Sequence, residues 1–414
     1  MRNSHTRWRI GALLLTLALV AMACGDSTAE TTTTGAPATT EAPATTEAPP
    51  TTEAPATVAT IPDVPLVTVA INGGPFYAFN LWAVAAGLGI SDELNVELDV
   101  TSQGFFPTAA LKRGEFDVIA SCPACAFGVY EAIPEFRNFL TAYQWRGFQI
   151  VGREVDGVSV HKPWSEFLIE ADGNAVEANA AFAGSLAGRS FAIWEVSSLP
   201  TLKVLLEQGG LTPDDIEIIN FADINVASTA FIGGTGDYHM GDSIQVQRML
   251  SGTDLRDKFG VAAPFAAFGD AGLWYSTFAS TEDWLANNEE TALRLMAIWY
   301  RTTRYLHNRT DEVLPYMHEA VRRAGGVLVE DDVLKEELFN VEDFVRLQDA
   351  WDHYYADGSP TNMDLSIDLS HRNAVELETI PSDSDWRQFE VEKEWFEKLI
   401  ARQDLIDWIQ SPLE

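Results

Sequence analysis

The stretch from Leu186 to Phe221, LAGRSFAIWEVSSLPTLKVLLEQGGLTPDDIEIINF, reads as strand, turn, helix, turn, strand, and it commits the chain to an α/β architecture. Phe191-Ala192-Ile193-Trp194 is an apolar run of strand length. Val196-Ser197-Ser198 supplies small hydroxyl residues where a helix must start, and Pro200 suits a first helical turn, where its missing N–H would go unpaired in any case. Leu202, Leu205 and Leu206 recur at helical spacing. Gly209-Gly210 ends the helix through a left-handed residue, and Ile216 to Ile219 is the next strand. In such a unit a ligand sits beyond the carboxyl end of the strand, at the helix N-terminus. Trp194 to Ser198 is therefore the first place to look.

A chain of 414 residues is too long for one ordinary core, so two domains are expected. Arg2, Arg7 and Arg9 precede an apolar run from Ile10 to Val20 that is too short to span a bilayer. The run ends in Ala21-Met22-Ala23-Cys24, which resembles a bacterial lipoprotein cleavage site with Ala21 in place of the usual Leu. On this reading residues 1–23 are a signal peptide and Cys24 is acylated. Residues 24–61 follow as a Thr/Pro/Ala/Glu tether in which TTEAP recurs at Thr39, Thr45 and Thr51. Such a segment has almost no large apolar residues to bury and is expected to be an extended, disordered spacer. Losing the leader removes three bases and no acid, which takes the formal charge from −34 to −37. That charge argues against nucleic acid as a partner, because phosphates would repel it. The remaining cysteines, Cys122 and Cys125 of C-P-A-C, read as a short-range disulfide in an exported chain, ahead of a redox or zinc role.

The folded part repeats the strand–helix rhythm. Leu66 to Ile71, Asn95 to Val100 and Asp117 to Ala120 read as strands, with helices from Phe76 to Leu88 and from Phe106 to Arg113 between them. Phe139 to Gly152 reads as a crossover out of the first domain, and Val261 to Ser280 as the return. Ser280-Thr281-Glu282-Asp283 is a helix start with an acid three residues after Ser280. Further helices are expected over Asp311–Ala324, Gln348–Tyr355 and Trp386–Ile409. The ordered set "GGPFYAFNLWAVAAGLGI", "ELNVELDV", "TAALKRGEFDVIAS", "LAGRSFAI" and "STAFIGGTGDYHMGDS" resembles the solute-binding proteins of nitrate, sulfonate and taurine transporters, a group that also includes binders of pyrimidine precursors of thiamin. The resemblance runs from about Leu66 to Arg304. "GDYHMGDS" lacks the tryptophan-acid-proline often found after that strand in the group. The resemblance implies a periplasmic-binding-protein type II fold: two α/β lobes joined by crossover strands, with a helical C-terminal region. On this plan residues 62–150 begin lobe I, 151–262 form lobe II, and 263–414 return to lobe I.

No P-loop, GxSxG or HExxH occurs, and His239, alone in a strand-like segment, reads as a structural histidine. Strand ends of the α/β pattern instead converge a set of ligand-binding candidates: Asn72, Phe76 and Tyr77; Gln103; Ser121; Trp145 beside Arg146; Trp194, Glu195, Ser197 and Ser198; Asp223; and Asp242. Core packing of the aromatics and N-capping by Ser197 and Ser198 are the structural alternatives. Helix N-termini and hydroxyls favour an anionic head. Aromatics with carboxylates favour a flat or cationic organic body, and the balance leans to an organic solute. No cofactor or metal is expected. The partners implied are a small-molecule solute, an ABC-transporter permease and, through a lipid anchor, the outer face of the cell membrane; a monomer is expected. Two rivals are kept: a pyrimidine-acting enzyme on a related scaffold, for which Cys122, His239 and Asp242 would be the reactive groups, and a ligand-sensing surface lipoprotein.

Overall fold

The computed structural model describes residues 65–73, 77–101, 106–129, 132–146, 148–222, 224–241, 243–251, 255, 257–268, 274–324, 328–376, 378 and 380–413. The leader, Cys24 and the tether lie outside the described residues. Among the described residues no helix is long and apolar enough to cross a membrane.

The first lobe opens with β1 (Val67–Asn72), α1 (Leu81–Gly87), β2 (Val96–Thr101), α2 (Thr108–Lys112), β3 (Val118–Ser121) and α3 (Pro123–Phe127). β1 lies parallel to both β2 and β3, with Val67 opposite Val96 and Asn72 opposite Thr101. Parallel neighbours need a crossover, and α1 and α2 supply it. β4 (Phe136–Trp145) ends the first passage, and β5 (Gln149–Val155) already belongs to the second sheet. The single crossover expected from Phe139 to Gly152 is thus two strands, β4 in the first sheet and β5 in the second.

The second lobe contains the short β6 (Val158–Ser159), α4 (Trp164–Glu170), α5 (Ala175–Gly184), β7 (Ser190–Ile193), α6 (Glu195–Gln208), β8 (Glu217–Asn220), α7 (Ile224–Ile232), β9 (Tyr238–Gly241), α8 (Ser243–Ser251) and β10 (Phe259–Ala263). Its order is β10-β5-β9-β7-β8, again a parallel trio (β8, β7, β9) with antiparallel strands beyond it. The two lobes use the same local device. The Asp117 carboxylate accepts from the Ala70 amide at 2.9 Å, and the Asp237 carboxylate accepts from the Ser190 amide at 3.0 Å. In each lobe an acid at the foot of the third parallel strand ties down the first.

The start of α6 corrects the sequence expectation. The helix begins at Glu195 with Trp194 as its N-cap, so Pro200 falls inside it and Ser197 and Ser198 are helical rather than capping. The cause is tertiary: β8 runs beside β7 with Asn220 opposite Ile193, and the Asn220 side-chain oxygen accepts from the Glu195 amide at 3.0 Å. A first-turn donor that a hydroxyl could have capped is thereby satisfied from the neighbouring strand. At the other end Gly210, with φ +71°, takes the left-handed conformation. Gly209 serves a different purpose: a Cβ there would lie 2.4 Å from the Gly184 nitrogen and 2.7 Å from the Ala183 carbonyl carbon, so α5 and α6 touch backbone to backbone. Gly209→Ala is expected to destabilise the protein by about 1–3 kcal/mol through overpacking. Gly210→Ala, which meets no atom within 4 Å, should cost about 1 kcal/mol from strain alone. Urea melts of the two variants check the order.

The chain returns through β11 (Trp274–Thr281), which lies antiparallel between β3 and β4 and completes the sheet order β12-β4-β11-β3-β1-β2, where β12 is Glu342–Asp343. The next helix is capped by Thr281, whose hydroxyl accepts from the Trp284 amide; Ser280 instead donates to the Asp117 carbonyl at 2.6 Å. Two helices follow where one was expected, α9 (Glu282–Asn287) and α10 (Glu289–Asn308), then α11 (Thr310–Arg323), α12 (Asp331–Glu336), α13 (Leu347–Ala350), α14 (Met363–Glu376), α15 (Glu392–Ile400) and α16 (Gln403–Gln410). These helices share one core with the first sheet, built around Trp82, Phe278, Trp299, Trp395 and Phe396. Arginines hold the far end. Arg301 donates to the Trp408 carbonyl at 2.6 Å, Arg304 to the Ile409 carbonyl and Arg309 to the Leu413 carbonyl at 2.7 Å. Carbonyls that the end of α16 leaves unpaired are thereby satisfied by cations, which also suit the negative end of the helix dipole.

Candidate functional site

The carboxyl ends of β1 and β3 in one lobe and of β7 and β9 in the other are where the next helices start, and α3 packs against α6 across the junction. One continuous apolar cluster occupies this junction. Cys122 and Cys125 from the first lobe lie in it with Phe148 and Trp274 from the two sheet-to-sheet passages, and with the partly buried Phe106, Trp145 and Trp194. Trp145 ends β4 directly opposite Trp274, the first residue of β11. Phe148 stands edge-on to both rings, with centroids 4.6 Å from Trp145 and 5.6 Å from Trp274.

Cys122 and Cys125 are joined as a disulfide. Cys122 is the N-cap of α3, and its sulfur accepts from the Cys125 amide at 3.1 Å. A crosslink over so short a loop restricts the unfolded chain modestly. The Cys122→Ser/Cys125→Ser protein is expected to lose roughly 2 kcal/mol of stability, measured as the difference between its urea midpoint and that of the oxidised chain.

The structure brings Trp145, Trp194 and Cys122 together at the junction. Ser198 is fully buried one turn into α6, and its hydroxyl has no hydrogen-bond partner. Glu195 is half-buried at the helix start. Asn72 and Ser121 are the final residues of β1 and β3 and are fully buried; the Ser121 hydroxyl makes only a 3.4 Å contact with the Cys122 carbonyl. Tyr77 is committed elsewhere. Its hydroxyl bonds His318 Nδ1 of α11 at 2.9 Å and accepts from the Val329 amide at 3.2 Å, and burial raises its pKa. Arg146 follows the end of β4; its guanidinium donates to Gln144 at 3.2 Å and its Nε is buried without a partner. Phe76, Gln103, Asp223 and Asp242 lie outside the described residues, as does the side chain of Ser197. Trp274 and Phe148 are absent from the sequence-derived set. Recognising that the two passages run antiparallel would have paired Trp274 with Trp145.

Of the groups considered for catalysis, Asp242 lies outside the described residues and the other two are held in structural roles. Cys122 is held in the disulfide. His239 is fully buried in the second lobe, its Nδ1 on the Ala192 carbonyl at 2.7 Å, its ring stacked on Phe231, and burial pushes its pKa down to about 4, so it is neutral. Among the described residues no group of three His, Cys, Asp or Glu side chains is arranged to hold a metal ion.

Comparison with known proteins agrees with this architecture. Residues 157–313 match the family model described as NMT1/THI5 like. YtlA of Bacillus subtilis (strain 168), named as a binding protein, is 26% identical over 130 residues, which cover 30% of this chain and only 37% of YtlA. Among solved structures, the ligand binding component of an ABC-type import system from Staphylococcus aureus superposes with a TM-score of 0.54 at 12% identity, over 79% of this chain and 98% of that one. The periplasmic aliphatic sulphonate binding protein SsuA from Escherichia coli gives 0.53 at 14% identity, over 78% and 91%. The desulfurization enzyme DSZB gives 0.51 at 12% identity, over 81% and 99%. At these identities the likeness to solved structures is one of fold. Residues 157–313 are similar to the NMT1/THI5-like family, and the chain around them has the two-lobed fold seen in type II periplasmic binding proteins.

Proposed function

We propose that this chain is an extracytoplasmic solute-binding lipoprotein that captures a small organic solute between its lobes and presents it to the permease of an ABC importer. The observation that carries this reading is the aromatic junction of Trp145, Phe148, Trp194 and Trp274 at the strand ends, where the lobes meet. Ligand sites in such folds gather at these strand ends, and aromatic faces suit a flat organic body. The sulfonate-, nitrate- and pyrimidine-like solutes implied by the sequence resemblance are the first candidates. The names of the E. coli and S. aureus neighbours support transport. Closure works by bending between the lobes, with lobe boundaries close to residues 150 and 263. The lobes act as a monomer, and the leader, acylated Cys24 and tether hold them outside the membrane.

The test is a thermal-shift screen of the full chain against sulfonates, nitrate, bicarbonate, pyrimidines, flavins, amino acids and polyamines. A solute at 100 times its dissociation constant adds about 2.7 kcal/mol of stability. The expected result is one chemical class that shifts the melt, is recovered unaltered by mass spectrometry, and no longer protects Trp194→Ala. A solute recovered chemically changed would replace this reading with the enzyme.

A further inference from the structure

We propose that α14 (Met363–Glu376) is a latch that ties the two lobes together and holds the closed arrangement before any solute arrives. The helix belongs to the C-terminal tail yet packs against α3 of the first lobe and α6 of the second. Its first half is fixed to the first lobe. Met363 and Ile367 lie in that lobe's core, the Met363 sulfur accepts from the Thr141 hydroxyl, and the Asp368 carboxylate accepts from Trp386 Nε1 at 2.7 Å. Its second half stays on the first lobe through Ala374, which lies in the same core, and only its C-terminal end reaches α6 of the second. His371 stands edge-on to the buried Phe127 of α3 with centroids 5.5 Å apart, and Glu376 forms an ion pair with Lys203 of α6. Lys203 is the sheltered member of the pair, its side chain 18% exposed, while the Glu376 side chain is 62% exposed.

This geometry fits a latch and not a rigid weld. Lys203 and Glu376 border an open depression of ≈ 550 Å³ with Glu195, Leu199 and Asp214, so the second-lobe end of α14 is not sealed by packing on all sides. A half-exposed ion pair contributes little to global stability. It nonetheless acts on one particular equilibrium, because Lys203 and Glu376 belong to bodies that must separate when the lobes part. A contact made only in the closed form shifts the open–closed balance by its full free energy, whatever the solute.

The experiment compares the full chain without added solute, as wild type, Lys203→Glu, Glu376→Lys and the double charge swap, by hydrogen exchange and small-angle scattering. In Lys203→Glu two carboxylates replace an ion pair. Amides of α3, α6 and α14 at the junction should then exchange about fivefold faster, with a larger radius of gyration and unchanged exchange in the distant strands β1 and β2. The double swap should restore the wild-type pattern. Junction exchange unaffected by Lys203→Glu, or a double swap no better than the single variants, would overturn the latch. Should Lys203→Glu fail to fold, Glu376→Gln breaks the same ion pair from the exposed side and is read by the same junction exchange. No solute is added, so the outcome is independent of which solute the junction takes.

Discussion

Trp82→Ala is expected to lower the stability of the first lobe by about 3–5 kcal/mol, the cost of emptying a fully enclosed aromatic site. Trp82 is completely buried on α1, with ring centroids 5.2 Å from Phe278 of β11 and 5.0 Å from Trp299 of α10. Phe278 and Trp299 are themselves 4.9 Å apart, so the three rings form one packed triangle joining the start of the lobe, its returning strand and its longest helix. None of these elements can move inward without pulling on the other two, and the cavity would stay open. Trp82 also carries an unpaired N–H, for its Nε1 has no acceptor. Trp82→Phe removes that unpaired donor and keeps most of the ring, so it should cost less than about 1.5 kcal/mol. Urea unfolding followed by far-ultraviolet circular dichroism would resolve the first-lobe transition, since a two-lobed chain need not unfold in one step. A loss below about 1 kcal/mol for Trp82→Ala would mean that α1 does not depend on this triangle.

What could be read directly from the sequence was whatever local chemistry decides. The alternation in β2, the apolar run of β3 and the strand–helix–strand rhythm around α6 are local, and the lobed fold follows from their order. Trp145 and Trp194 stand at strand ends, which is the local feature that singled them out, and both lie against the apolar cluster at the junction. The misreadings share one cause, which is that a neighbour in space supplied what the local sequence also offered. Asn220 satisfies the first amide of α6, so the helix starts before Ser197 and Ser198. Ser280 is drawn to the Asp117 carbonyl, leaving the cap to Thr281. Gly209 is required by the close approach of α5, not by the helix end alone. Tyr77 turns to His318, a partner 241 residues away. α14 was missed because MDLSIDLSHRNAVE has no single apolar stripe: it contacts the sheet side of one lobe and a helix of the other, and so mixes apolar and charged faces.

Glu392→Gln is expected to make the protein more stable near neutral pH while leaving it almost unchanged near pH 4.5. Glu390 and Glu392 are both buried where the tail meets β4. Asn138 Nδ2 donates to both Glu390 oxygens, at 3.0 and 3.1 Å, and Asn138 Oδ1 in turn accepts from Thr277 at 2.9 Å. Burial raises both carboxyls, Glu390 to about 7 and Glu392 well above its ordinary range, with the Glu390 charge adding to the effect on Glu392. The sign follows from proton counting. Above the ordinary carboxyl range, near pH 4.5, the unfolded chain has lost both protons while the folded chain keeps them. Stability therefore falls as pH rises, by about 1.4 kcal/mol per pH unit for each retained proton, until the folded groups titrate. Glutamine has the shape of the protonated acid and no proton to release, so it removes one of these two contributions. Between pH 5 and 7 the unfolding free energy of Glu392→Gln should fall less steeply than that of the wild type, by about 1.4 kcal/mol per unit. Chemical melts at half-unit intervals measure the slope. Parallel curves would show that Glu392 is ionised in the folded protein.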